Sequence, residues 1–245
     1  MHPRLTLATA ARVLRQLTHD PRTLGLLFVV PCVLLGLLAW IYSDTPRVFD
    51  AIGGPLLGIF PFVVMFLVTS IATLRERSSG ILERLLTMPI GKLDILLGYA
   101  LTFGFLAILQ GTLASLLAVH LYGLHVAGPE WMLIVIALVD ALLGTALGLL
   151  VSAFARTEFQ AVQFLPAFIF PQFLLCGLLV PLRHLPHALH VLANCLPLTY
   201  AVDAMQRVSM QADVSHRIYQ DVLVVLAFAF GAVLLAAATL RRRTK

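Results

Sequence analysis

Asp140 is the residue whose position most constrains its chemistry. It lies in a long apolar run, nine residues beyond Trp131. At ~1.5 Å per helical residue that is about 14 Å, near the middle of a ~30 Å hydrocarbon layer. An ionised carboxylate there is costly unless protonated, paired or hydrated. Two chemistries fit: a translocation-path or ion-coupling site, or a protonated, hydrogen-bonded link between helices. Gln110 in the third apolar run, with Gln163 and Gln172 in the fifth, could line a polar path with it. They could equally join helices by hydrogen bonds of ~0.6 kcal/mol each.

A second group of residues sits between apolar runs. The stretch 74–94 carries Arg75, Glu76, Arg77, Glu83, Arg84 and Lys92. Ser79 can cap a short helix with Glu83 in its first turns. Ile81, Leu82, Leu85 and Leu86 form an apolar stripe, and Pro89 and Gly91 end it. Such a helix must bury its apolar face, either on the bundle's own ends or on a partner protein.

Other chemistry is missing from the sequence. A phosphate-binding P-loop needs G-x-x-x-x-G-K-[ST], because closely spaced backbone N–H groups cradle the phosphates. The Gly91-Lys92 pair has Leu86 and Leu93 where Gly and Ser/Thr are required. Any ATP-driven function therefore places ATP and Mg on another subunit, with no cofactor bound by this chain. There is no GxSxG, HExxH or CxxC. His184, His187 and His190 recur at a three-residue spacing, but Pro186 disturbs that run as a metal site. No enzyme activity is expected.

The elements that hold these residues follow from composition. The chain has 245 residues, 60% of them hydrophobic and only 12% charged, against ~25% charged in ordinary soluble domains. This excludes a disordered chain and a disulfide-stapled miniprotein. An all-α polytopic membrane protein remains. Six runs are long enough to span: about 23–42, 52–73, 95–121, 131–154, 161–180 and 219–240. The fifth is interrupted by Pro166 and Pro171. Gly54-x-x-x-Gly58 and Gly144-x-x-x-Gly148 allow close helix approach, more within one chain than between two. Residues 1–22 read as a basic amphipathic helix at the membrane surface, with Leu7, Ala10, Leu14 and Leu17 on its apolar arc. No soluble domain or repeat is visible, so 1–245 reads as one transmembrane domain.

The net charge of +5 would suit nucleic acid in a soluble protein. Here thirteen of the seventeen basic residues fall on one side of the six spans. That asymmetry makes both termini cytoplasmic, and it excludes nucleic acid as the reason for the charge.

The run from Arg75 to Tyr99 resembles the cytoplasmic loop of ABC-2 type transporter permeases. It carries Glu76, Gly80, Leu82-Glu83-Arg84-Leu85-Leu86 and Pro89, with Ile81 where that family commonly has Thr. Gly177-Leu-Leu-Val-Pro181 and Pro197-Leu198-Thr199-Tyr200 resemble the family's outer segment before its last span. The resemblance implies the membrane subunit of an ATP-driven exporter in a bacterial inner membrane. It implies a second permease copy, identical or not, and a nucleotide-binding subunit as partners. Residues 79–89 would be the coupling helix, with Glu76, Gly80, Leu82, Glu83, Arg84, Leu86 and Pro89 serving the ATPase contact. Residues 1–22 would be the connector helix, and 181–200 would form short re-entrant outer helices. The short outer loop leans towards a hydrophobic small molecule, drug or lipid as substrate. The contrasting expectation is a secondary transporter or channel that needs no ATPase and couples ions through Asp140.

Overall fold

The computed structural model describes residues 3–81 and 91–239, and these are mostly helical with short irregular connections and no strand among them. The order is α1 (Pro3–Thr18), α2 (Pro21–Ile41), α3 (Pro46–Ser78), α4 (Lys92–Leu116), α5 (Glu130–Ser152), α6 (Glu158–Leu175), α7 (His187–Asn194), α8 (Pro197–Met210) and α9 (His216–Thr239). A π turn, Leu117–Leu121, continues α4. Helix starts follow local chemistry. Proline opens α2, α3 and α8, where its missing N–H has no partner to lose. The Asp20 side chain caps α2 by accepting from Thr23 N–H at 3.3 Å, and Thr157 caps α6 by accepting from Gln160 N–H at 3.1 Å.

Five helical stretches are long and apolar enough to cross a membrane: Pro21–Ile41, Pro46–Ser78, Asp94–Leu121, Glu130–Ser152 and His216–Thr239. They coincide with five of the six expected spans. The sixth expectation, 161–180, falls on α6. That helix stops at Leu175, where Gly177 turns the chain with φ of +91°. Its 18 residues hold two prolines and three glutamines, which lower its apolar character below that of the other five.

α3 and α5 form the middle of the bundle. Each has 67% of its most apolar stretch buried, against 22% for α2 and 17% for α9, which lie at the periphery. The α3–α5 seam is close because α5 presents glycines. A methyl group at Gly144 would come within 2.3 Å of the Phe62 carbonyl oxygen, and one at Gly148 within 2.6 Å of that of Phe66. On α3, Gly54 and Gly58 face Ser209 and Met205 of α8. Both small-residue stripes thus pack helices of this chain.

Two apolar cores flank the seam. One gathers Val13, Leu17, Leu27, Met65, Tyr99, Phe103 and Ala236. It brings α1 and the last turns of α9 together at one end of the bundle, called the near end here. The other gathers Phe49, Leu57, Met132, Ile136, Leu198, Met205 and Ile218 towards the far end. There α8 lies along α3, and the carbonyls of Val208 and Ser209 accept from Gly128 and Ala127 N–H at 2.9 and 3.1 Å.

The N-terminal segment is helical as expected, but its buried face is turned. Thr6, Thr9, Val13 and Leu17 face inward, whereas Leu7 is 62% exposed. The cause is Gly98 on α4. It leaves a groove that Thr9 fills so closely that a methyl at Gly98 would lie 2.7 Å from the Thr9 side chain. Shape complementarity outweighs the apolar arc there.

Candidate functional site

The first residues of the stretch 74–94 form the near end of α3. This helix runs 33 residues, past the expected end of its span at Thr73, and delivers Arg75, Glu76 and Arg77 to the bundle surface. Consecutive helical residues point about 100° apart, so three charges in a row face three directions. Each finds a different neighbour.

Glu76 turns inward. Both its oxygens accept from Arg12 of α1, at 3.2 and 2.9 Å, and the Tyr99 hydroxyl of α4 donates to it as well. Arg12 also donates to the Tyr99 hydroxyl at 3.4 Å. The bidentate geometry fits a planar guanidinium to a planar carboxylate. Burial works against the charge on Arg12, but the Glu76 hydrogen bond and charge outweigh it and hold its pKa above the ordinary value. The Glu76 side chain is only 12% exposed. Arg75 turns outward to α6. Its Nε and an Nη donate to the two Glu158 oxygens at 3.0 and 3.2 Å, and another Nη lies 3.9 Å from the Asp20 cap of α2. Arg77 donates to the Ser152 carbonyl at the C-terminal end of α5, where unpaired carbonyls favour a cation. The last turns of α3 therefore grip α1, the start of α2, α4, α5 and α6 at once.

Among the residues expected to serve a partner contact, Glu76 and Gly80 are described. Gly80 ends α3 with φ of +73° and open space around it. Leu82, Glu83, Arg84, Leu86 and Pro89 lie outside the described residues. The residues that join this hub from elsewhere, Arg12, Tyr99, Ser152 and Glu158, were not among the sequence candidates. Their partners lie 23 to 83 positions away, and no local pattern reveals such pairs. The available signal was the charged triplet itself, set at the end of an apolar run.

The polar residues expected within the membrane do not converge. Asp140 is buried in the α5 face towards α3 and α8, next to Gly58 and Met205, and neither carboxylate oxygen has a hydrogen-bond partner. Gln110 ties α4 to α2 by donating to the Leu27 carbonyl at 2.7 Å. Gln172 donates to Phe168 O within α6 at 3.1 Å, and its oxygen accepts from Leu198 N–H at 3.4 Å in the first turn of α8. Gln163 is exposed on α6. Two of the four are thus helix joints, one is a surface group and one is an unpaired acid. No group of three or more His, Cys, Asp or Glu among the described residues is arranged to hold a metal.

The pattern of the whole chain has known counterparts. Residues 4–209 match the family model described as "ABC-2 type transporter". The chain is 26% identical over 207 residues to "ABC transporter G family member 20" of Dictyostelium discoideum, covering 83% of this chain and 28% of that protein. It is 27% identical over 168 residues to "Probable multidrug ABC transporter permease YbhS" of Escherichia coli (strain K12), covering 68% of this chain and 45% of the relative. It is 25% identical over 148 residues to "Linearmycin resistance permease protein LnrN" of Bacillus subtilis (strain 168), covering 60% and 38%. The chain spans less than half the length of these relatives.

Proposed function

This chain belongs to the ABC-2 type transporter family, and from that premise we propose that it is the membrane subunit of an ATP-driven exporter. Its substrate is a hydrophobic small molecule, drug or lipid, leaving the cytoplasm or the inner leaflet. ATP and Mg sit on a separate nucleotide-binding subunit, because the chain has no P-loop. A second permease copy, identical or not, completes the path. The bundle crosses a bacterial inner membrane six times, with α6 as the fifth crossing and both termini cytoplasmic. On this reading the near end faces the cytoplasm, α1 lies at the membrane surface, and α7 and α8 belong to the outer side.

The observation that carries the proposal is the hub at the end of α3. Residues 79–89 begin where Arg75, Glu76 and Arg77 bind α1, α4, α5 and α6. A push on that segment reaches every one of those helices through hydrogen-bonded charges. ATP closure in the partner then selects between two packings of the bundle, which is what a driven transport cycle requires. Glu83 and Leu86 provide the contact with the ATPase, and Glu76 provides the transmission behind it. Asp140 faces helices of its own bundle, which supports a structural place for it over ion coupling.

The test is co-purification. Glu83→Ala and Leu86→Ala, expressed with the partner ATPase, are expected to reduce its recovery with the permease and to abolish substrate-stimulated hydrolysis. The bundle itself should keep its unfolding temperature. Full recovery and full stimulation in both variants would overturn the assignment of 79–89 as the coupling segment.

A further inference from the structure

The far end carries a polar cavity of about 560 Å³, walled by the α6–α7 connection, α8 and the first turns of α9. Its charges are unlike those of the near end. Arg207 is matched within α8 by Asp203, at 2.9 Å. Arg183 and Arg217 are exposed and make no ion pair among the described residues. Asp221 is 6% exposed, and one of its carboxylate oxygens is fully buried without a hydrogen-bond partner. The charged groups that bear on Asp221 are Asp203 from α8, Arg207, and Arg217 one turn earlier on α9. Two carboxylates, hydrogen-bonded to each other, thus share the cavity, with Asp203 matched by Arg207, while Arg183 and Arg217 line it with exposed guanidiniums that close no ion pair among the described residues.

A buried acceptor without a partner is costly. A ligand that brings an N–H-bearing cation to Asp221 and an anion to Arg183 and Arg217 would satisfy all three residues together. The lining residues Gly177 and Pro181 bracket the exposed apolar residues Leu179 and Val180, so an acyl chain could lie along the cavity's rim. We infer that the far-end cavity is a binding site for a primary-amine phosphate, the headgroup chemistry of an ethanolamine phospholipid. The phosphate sits between Arg183 and Arg217, where guanidinium forks suit its oxygens. The ammonium sits at Asp221, beside Asp203. The inference rests on the membrane placement of the bundle and is independent of ATP coupling.

Native mass spectrometry of the full chain in detergent micelles tests it, with phosphatidylethanolamine, phosphatidylcholine and phosphatidylglycerol added in turn. The ethanolamine lipid should be retained at least about fivefold over the other two, because choline lacks an N–H donor and glycerol lacks the cation. Asp221→Asn should reduce its retention to the phosphatidylglycerol level, and Arg183→Gln with Arg217→Gln should reduce retention of all three. Asparagine keeps the shape of the Asp221 side chain and can still hydrogen-bond Asp203, so this variant is expected to fold normally, and its unfolding temperature checks that. If it does not fold, the double arginine variant decides alone. Free O-phosphoethanolamine at millimolar concentration separates the sources: displacement of the lipid supports a soluble ligand of the same chemistry, and no displacement supports the lipid. Equal retention of the three lipids by the wild-type chain, or undiminished ethanolamine-lipid retention in Asp221→Asn, would overturn the site. The second outcome would mean that Asp221 is satisfied by a proton.

Discussion

The two ends of the bundle use charge in opposite ways. At the near end Arg12 pairs with Glu76 and Arg75 with Glu158, joining three helices, and Arg77 binds the end of a fourth. At the far end Arg183, Arg217 and Asp221 surround an open cavity without closing on each other. Matched charges fix helix positions and can carry a displacement. Unmatched charges leave affinity for something outside the chain. On the two proposals above, motion belongs to one end and recognition to the other, and three measurements can break or sharpen that comparison.

The largest effect should come from the seam between the two ends. If α3 and α5 join them as one body, Gly144→Leu disrupts both, because even a methyl there would meet the Phe62 carbonyl at 2.3 Å. Overpacking costs about 1–3 kcal/mol and occasionally more, and a clash with backbone that cannot rotate away belongs at the upper end. Unfolding in detergent micelles should show the loss. Tryptophan quenching should change at Trp40 and Trp131, which lie in separate helices of the bundle. An unfolding temperature within about 2 °C of wild type would mean that the seam does not hold the ends together.

The next effect belongs to the near end alone. Glu76→Gln keeps the side-chain shape but leaves Arg12 and the Tyr99 hydroxyl without their carboxylate. Hydrogen bonds to charged groups contribute about 1.5–3 kcal/mol, and Arg12, at 30% exposure, recovers part of this from water. We expect a loss near 1.5 kcal/mol. A cycle with Arg12→Met should give a coupling energy of about 1 kcal/mol, since removing both charges leaves neither unpaired. Coupling near zero would reduce the hub to incidental surface contacts. Retention of ethanolamine lipid at the far end should be unchanged in Glu76→Gln.

The sequence made the helices plain and the hub only half visible. Long apolar runs marked α2, α3, α4, α5 and α9, because hydrocarbon requires continuous hydrogen-bonded helix. The glycine pairs at Gly54–Gly58 and Gly144–Gly148 pointed to close packing within the chain, which the close approach of these glycines to α8 and α3 bears out. The inward face of α1 was not legible, since it depends on the absent side chain of Gly98 on another helix. Glu76 was singled out from a family pattern, yet its partners could not be, because Arg12 and Tyr99 reach it only through tertiary packing. Gln110 and Gln172 were equally ambiguous as path or joint until their acceptors and donors were known. The far-end cavity escaped notice for the same reason. Arg183 lies on the α6–α7 connection and Arg217 and Asp221 on α9, and only the fold gathers them.

The smallest effect tests how far into solvent the near-end network extends. Arg75 and Glu158 have good bidentate geometry, but their side chains are 59% and 50% exposed. Exposed pairs of this kind contribute about 0–1 kcal/mol and weaken with salt. The Arg75 hydrogen bond nonetheless holds the Glu158 carboxyl below the ordinary range, against a smaller opposing effect of burial. A carboxyl lowered on folding stabilises the fold above its unfolded pKa of about 4.3, and that stabilisation is lost as pH falls through the folded value. Glu158→Gln should therefore lower the unfolding temperature slightly at pH 7, by at most about 2 °C. The difference from wild type should shrink as pH drops below about 4 and should also shrink at high salt. A difference that persists in acid would assign the effect to the helix start beside Thr157 instead of to the Arg75 charge. A difference at pH 7 as large as that of Glu76→Gln would move the centre of the hub outward, from the buried Arg12–Glu76–Tyr99 cluster to the surface pair.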